Sequence, residues 1–99
     1  MKIRFTPEGR QRARDAAVWW RANRPGTRHL FDQELAEAQQ KVLATPTLGT
    51  VHGTVRGMEI RRILLPKTDQ HFYFSVDKKA GVILVHMVWG ARRGRPPKL

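Results

Sequence analysis

The sequence contains no cysteine, which excludes disulfides, thiol nucleophiles and thiolate metal sites. It is also poor in acid: eight Asp and Glu stand against nineteen Lys and Arg, a net charge of +11. That imbalance favours a polyanionic or acidic partner, such as nucleic acid, a nucleic-acid enzyme or an acidic protein. No apolar stretch is long enough to span a bilayer, and the opening Met1-Lys2-Ile3-Arg4-Phe5-Thr6-Pro7 lacks the apolar region of a signal peptide. A cytoplasmic address without membrane contact is therefore expected. His29, His52, His71 and His86 are spaced so that no two fall on one helical turn, so neither a metal site nor a cofactor is expected. Gly49, Gly53 and Gly57 recur every four residues, but no Lys-Ser or Lys-Thr follows them, which argues against a phosphate-cradling loop.

What remains is a chain of 99 residues, 40% apolar and 27% charged, enough for one domain with a modest core. Its longest apolar run, Val82 to Trp89, is rich in β-branched residues and bounded by Gly81 and Gly90, the pattern of a buried central strand. Residues 90–99 follow as a basic tail in which prolines and glycines end regular structure.

Lys2 to Phe5 alternates polar and apolar, as a short strand does. Thr6-Pro7-Glu8 is a helix start, with a hydroxyl to cap, a proline where no N–H is needed and an acid at the positive end of the dipole. The helix is predicted over about Pro7 to Asn23, with Ala13, Ala16, Ala17 and Trp20 inward and Arg10, Arg12, Arg14 and Arg21 outward. Asn23-Arg24-Pro25-Gly26 stops it, and Thr27 is expected to cap a second helix whose face is Phe31, Leu35, Ala38 and Val42, ending at Ala44-Thr45-Pro46. Two helices joined so closely form an antiparallel hairpin. Thr47 to Met58 reads as a loop or ragged extended segment. Glu59 to Leu65 and His71 to Asp77 are strands, the latter with Phe72, Phe74 and Val76 on one face and His71, Tyr73 and Ser75 on the other.

The order is strand, helix, helix, strand, strand, strand. This is an α+β domain, residues 1–99, in which the hairpin packs on one face of an antiparallel sheet with a three-stranded C-terminal meander. If Phe72, Phe74 and Val76 meet the helices, Tyr73 is exposed on the open face. There His86 and one of Arg61 or Arg62 are candidate neighbours. The other arginine of that pair is expected either to reach the rim of the hairpin side or to pair with an acid, with Glu34 or Glu37 as candidates. Trp19 and Trp20 sit about 100° apart around the helix axis, so one of them belongs at its edge. His86 reads as a half-buried, hydrogen-bonded strand histidine.

Pro46-Thr47-Leu48-Gly49, Arg61-Arg62-Ile63-Leu64-Leu65-Pro66, His71-Phe72-Tyr73-Phe74-Ser75-Val76-Asp77 and Val88-Trp89-Gly90-Ala91-Arg92-Arg93 follow one another behind a helical hairpin. In that order and spacing the chain resembles the RelE/ParE superfamily of type II toxin–antitoxin toxins, and the ParE branch more closely. The resemblance implies a toxin neutralised by a cognate acidic antitoxin, with which it forms a hetero-oligomer. ParE-like members inhibit DNA gyrase by protein contact, whereas RelE-like members cut messenger RNA on the ribosome.

For RNA cleavage the candidates are Arg61, Arg62, Tyr73, His86 and Arg92, which supply a proton acceptor, a proton donor and cations for the transition state. Most RNA-cutting relatives carry a His or Tyr at the extreme C-terminus, and a His commonly stands where this chain has Gly90. Here the chain ends Pro96-Pro97-Lys98-Leu99, so the resemblance favours a gyrase inhibitor that performs no chemistry itself. Target contacts are assigned to Trp89, Arg92, Arg93 and Arg95, and antitoxin contacts to Trp19, Trp20, Arg61, Arg62 and Tyr73. The segment Arg92-Arg93-Gly94-Arg95-Pro96-Pro97-Lys98 also resembles an AT-hook, whose Gly-Arg-Pro core lies in the minor groove of A·T-rich DNA.

Overall fold

A computed structural model describes residues 1–99. The elements are β1 (Lys2–Phe5), α1 (Pro7–Asn23), a 3-10 turn (Pro25–Thr27), α2 (Leu30–Ala44), β2 (Thr50–Val55), β3 (Met58–Leu65), β4 (Gln70–Asp77) and β5 (Val82–Gly90). The α+β order predicted from the sequence is present, and the helical hairpin packs on the sheet. The strands form one sheet in the order β1-β5-β4-β3-β2, with β1 parallel to β5 and the other neighbours antiparallel. The sheet is thus mixed and has one strand more than the predicted order contains.

The additional strand, β2, lies inside the segment read as a loop or ragged extended segment. Its partners are Thr50↔Arg62 and Val51↔Arg61, then Gly53↔Ile60, so His52 is an extra, bulged residue. The bulge and Gly53 break the period-two pattern that identifies strands. Arg56 and Gly57 both take positive φ, 51° and 79°, and close a two-residue turn into β3. Gly49 also has positive φ, 83°, and a Cβ there would run into the Arg62 carbonyl. The four-residue glycine spacing therefore serves separate local needs.

α1 begins as its sequence dictates. The Thr6 hydroxyl accepts from the Gly9 N–H at 2.9 Å, and the Thr6 N–H donates to the Val85 carbonyl at 2.9 Å. A Cβ at Gly9 would stand 2.5 Å from that same carbonyl, so α1 lies directly on β5. Thr27 does not cap α2, which starts at Leu30 without a side-chain cap. It lies in the 3-10 turn, where its carbonyl accepts from the Trp20 indole at 2.8 Å. Pro25 and Gly26 spend the residues before Thr27 on the turn itself, and the turn is fastened to α1 through Trp20.

Between helices and sheet, Ala13, Trp20, Phe31, Ala38 and Val42 pack on Leu65, Phe72, Phe74, Ile83, Val85 and Val88. The second sheet face is not open. It carries a smaller cluster of Ile60, Tyr73, Met87 and Trp89, and Tyr73 is only 1% exposed. The tail folds back over it. The Trp89 indole N–H donates to the Arg95 carbonyl at 3.0 Å, Pro97 is buried, and Leu99 reaches the cavity that holds Thr6, Leu84 and His86. Tyr73 was expected exposed because strand alternation reports faces but not what a following segment lays over them.

Candidate functional site

The Arg61-Arg62 pair is divided by the pleat of β3, and the two residues have different surroundings. Arg61 is held at the rim: its guanidinium donates to the carbonyls of Leu48 (3.1 Å), Thr47 (2.7 Å) and Gly49 (3.2 Å) and pairs with Glu59 at 2.9 Å. Neither Glu34 nor Glu37 is its partner. Glu34 instead accepts from Lys67 N–H, Thr68 N–H and the Thr68 hydroxyl, and Glu37 faces Lys67 at 4.0 Å. Arg61 is thereby committed to fixing the chain that enters β2. Arg62 faces the tail-covered side.

On that side a cavity of about 300 Å³ brings together His52, Arg62, His71, Tyr73 and Trp89 beneath Arg95 and Pro96 of the tail. His52 lies edge-on to Tyr73 with ring centroids 4.9 Å apart, and His71 approaches at 6.1 Å. Burial lowers the His71 pKa, and the charge of Arg62 and the nearby His52 lower it further, while Asp69 opposes them. At neutral pH the cavity therefore offers a neutral imidazole beside a fixed guanidinium, a pairing suited to binding an anion or accepting a proton.

Of the sequence-predicted residues, this cavity collects Arg62, Tyr73, Trp89 and Arg95. His52 and His71 join them. His71 was visible as a strand neighbour of Tyr73, whereas His52 is aimed inward only by the bulge of β2, for which the sequence carries no clear local signal.

The other candidates are elsewhere. His86 is the bulged residue of β5, between the pairs Tyr73↔Met87 and Phe74↔Val85. Its Nε2 lies 2.7 Å from the Ser75 hydroxyl, in the separate cavity that includes Glu8, Arg56 and Leu99. Arg92 forms an ion pair with Asp69 on the α1 flank of the sheet. Arg93 stacks on Trp89 at 4.1 Å, and Arg12 approaches the same ring at 5.7 Å. Trp20 is buried, while Trp19 is 50% exposed. Only Trp19 of that pair presents an exposed ring. No group of three or more His, Asp or Glu side chains is placed to hold a metal ion, and no helix is long and apolar enough to cross a membrane.

Burial also lowers the His86 pKa. An imidazole titrating below its ordinary value of 6.5 binds fewer protons folded than unfolded, so acid favours the unfolded chain. Stability is expected to be level above about pH 7 and to fall as pH drops below about 6.5 toward the folded-state values of His71 and His86. Comparing Tm at about pH 7.5 and about pH 5.5 checks this. His86→Gln should remove part of the acid loss; an undiminished loss would show that His86 is not a source of it.

The chain matches no protein-family model, and no curated protein matches it.

Proposed function

We propose that this chain is the toxin of a type II toxin–antitoxin module, of the ParE kind, inhibiting DNA gyrase by protein contact and neutralised by a cognate acidic antitoxin. The observation that carries this reading is that of the five nuclease candidates only Arg62 and Tyr73 come together. Tyr73 is buried under the tail, Arg61 is spent on three carbonyls, His86 is bonded to Ser75 in another cavity, and Arg92 lies across the sheet edge beside Asp69. What the molecule presents outward is a basic end formed by Arg92, Arg93 and Arg95, all exposed, around the nearly buried Trp89. A cationic ridge on a stiff strand end is suited to docking on a nucleoprotein target.

One observation favours a second reading. The cavity of His52, Arg62, His71 and Tyr73 has the residue types that RNA cleavage requires. Minor-groove binding by the tail has less support, because Gly94-Arg95-Pro96 is pinned through the Arg95 carbonyl.

Expression without antitoxin tests the assignment. Filamentation, a DNA-damage response and inhibited gyrase supercoiling by the purified protein are expected, all abolished by Arg92→Ala combined with Arg93→Ala. Prompt translation arrest with cleaved messages would replace gyrase by RNA as the target, and growth without harm would remove the toxin reading.

A further inference from the structure

The flank of α1 carries a second basic surface that is separate from the tail-covered cavity. Two adjoining depressions, about 430 and 370 Å³, run between α1 and the end of β5 and share Trp19, Gln70, Gly90 and Arg93. At one end the Arg24 guanidinium stands 5.6 Å from the half-exposed Trp19 ring; at the other, Arg12 and Arg93 both lie over Trp89. The ion pairs of the molecule are Arg21–Asp32, Arg61–Glu59, Lys67–Glu37 and Arg92–Asp69. Arg12, Arg24 and Arg93 thus have no carboxylate partner. Of the two acids along the groove, Asp69 is taken by Arg92, while Asp15 accepts from Gln11 at 2.9 Å and keeps its charge, which the lining cations Arg12, Arg24, Lys67 and Arg93 outweigh.

From this arrangement we infer that the α1–β5 groove binds single-stranded nucleic acid, with an unpaired base stacked on Trp19 and backbone phosphates held by Arg12, Arg24 and Arg93. Three unneutralised guanidiniums along one groove supply sites for successive phosphates. An exposed indole ring fixed beside them supplies the stacking platform that a sequence-tolerant single-strand site needs. A duplex offers no free base face to Trp19, and carboxylates alone would satisfy the guanidiniums without covering the exposed ring. The Gln70 amide on the groove floor adds one donor and one acceptor for a base edge. The groove shares Arg93 with the residues assigned to target contact and Trp19 with those assigned to antitoxin contact, whereas Arg12 and Arg24 belong to neither, so the Arg12/Arg24 variant tests the groove apart from the toxin reading.

The test is fluorescence anisotropy of a labelled oligothymidylate with the full chain over a series of KCl concentrations. Trp19→Ala is expected to weaken binding roughly tenfold. Arg12→Gln with Arg24→Gln should reduce the magnitude of the slope of log K against log salt by about 1.4, the loss of two phosphate contacts. Lys78→Gln with Lys79→Gln removes the same charge from the distant β4–β5 turn and should leave the slope unchanged. All three substituted positions sets are exposed or half-exposed, and a thermal melt of each variant confirms that it is folded. Absence of binding by the wild-type chain would overturn the inference. So would an equal loss in the Lys78/Lys79 variant, which would reveal diffuse attraction, or competition by polyglutamate as strong as by unlabelled oligonucleotide, which would assign the groove to an acidic protein.

Discussion

Replacing Glu34 by alanine is expected to lower the unfolding free energy by about 3–5 kcal/mol, a large fraction of what a domain of this size possesses. Glu34 is 4% exposed on the buried side of α2. Its two carboxylate oxygens accept from Lys67 N–H at 2.7 Å, Thr68 N–H at 2.9 Å and the Thr68 hydroxyl at 2.6 Å. Two of these are main-chain donors of the turn that joins β3 to β4 and the third is a side chain of the same turn, so a single carboxylate fastens the helical hairpin to the sheet's central connection. Alanine would leave Thr68, itself 3% exposed, with unsatisfied donors in a place water reaches poorly. Glu37, one helical turn later, provides the contrast: it is half exposed and only 4.0 Å from Lys67 Nζ, so Glu37→Ala should cost under about 1 kcal/mol. Urea denaturation measures both. A midpoint shift for Glu34→Ala no greater than that for Glu37→Ala would show that the turn holds its shape without the carboxylate.

The role of Glu34 also shows where reading the sequence stopped. Both helices were legible because their apolar residues recur at helical spacing, and the Thr6-Pro7-Glu8 start was legible because capping is local chemistry. β4 and β5 announced themselves by composition. Glu34 drew attention only as a possible partner for an arginine, since the backbone donors it actually satisfies are 33 and 34 residues away. β2 was missed because a bulge and a glycine erase its alternation. The bulge in β5 has a subtler effect. Strict alternation from Val85 would send Met87 toward the helices, yet with His86 inserted it is Val88 that joins the helix-side core while Met87 and Trp89 join Tyr73. The composition of the second face thus depends on one extra residue whose presence no propensity encodes.

The same limits governed the candidate site. Arg62, Tyr73, Trp89 and Arg95 were all singled out, but their meeting with His52 and His71 required the position of β2 and the return of the tail. Both are set by tertiary contacts. Proline and arginine content identified the tail as irregular and basic. It did not reveal that one indole N–H and one buried proline would hold it against the sheet.

That attachment leads to the second large effect. Trp89→Ala is expected to cost about 3–5 kcal/mol and to release residues 91–99 from the sheet. The ring is 9% exposed, packs with Ile60, Tyr73 and Met87, and lies under Arg93 at 4.1 Å, so its removal deletes the centre of the smaller cluster as well as a cation–π partner. Its N–H also holds the Arg95 carbonyl. Trp89→Phe separates these contributions, keeping an aromatic surface for Arg93 while losing the tether, at a cost of about 1 kcal/mol from the hydrogen bond. Trypsin reads the tail directly, because Arg92 and Arg93 are cleavage positions in it, whereas the Arg95–Pro96 bond resists the enzyme. Cleavage there should be fastest in Trp89→Ala, intermediate in Trp89→Phe and slowest in the wild-type chain, under conditions where the folded domain survives. If the alanine variant were cut in the tail no faster than wild type, buried Pro97 would be the true anchor. Under the toxin reading the tether has a functional consequence as well. Trp89 fixes the direction from which Arg93 and Arg95 meet a target, so Trp89→Phe should weaken target inhibition more than its small stability loss explains.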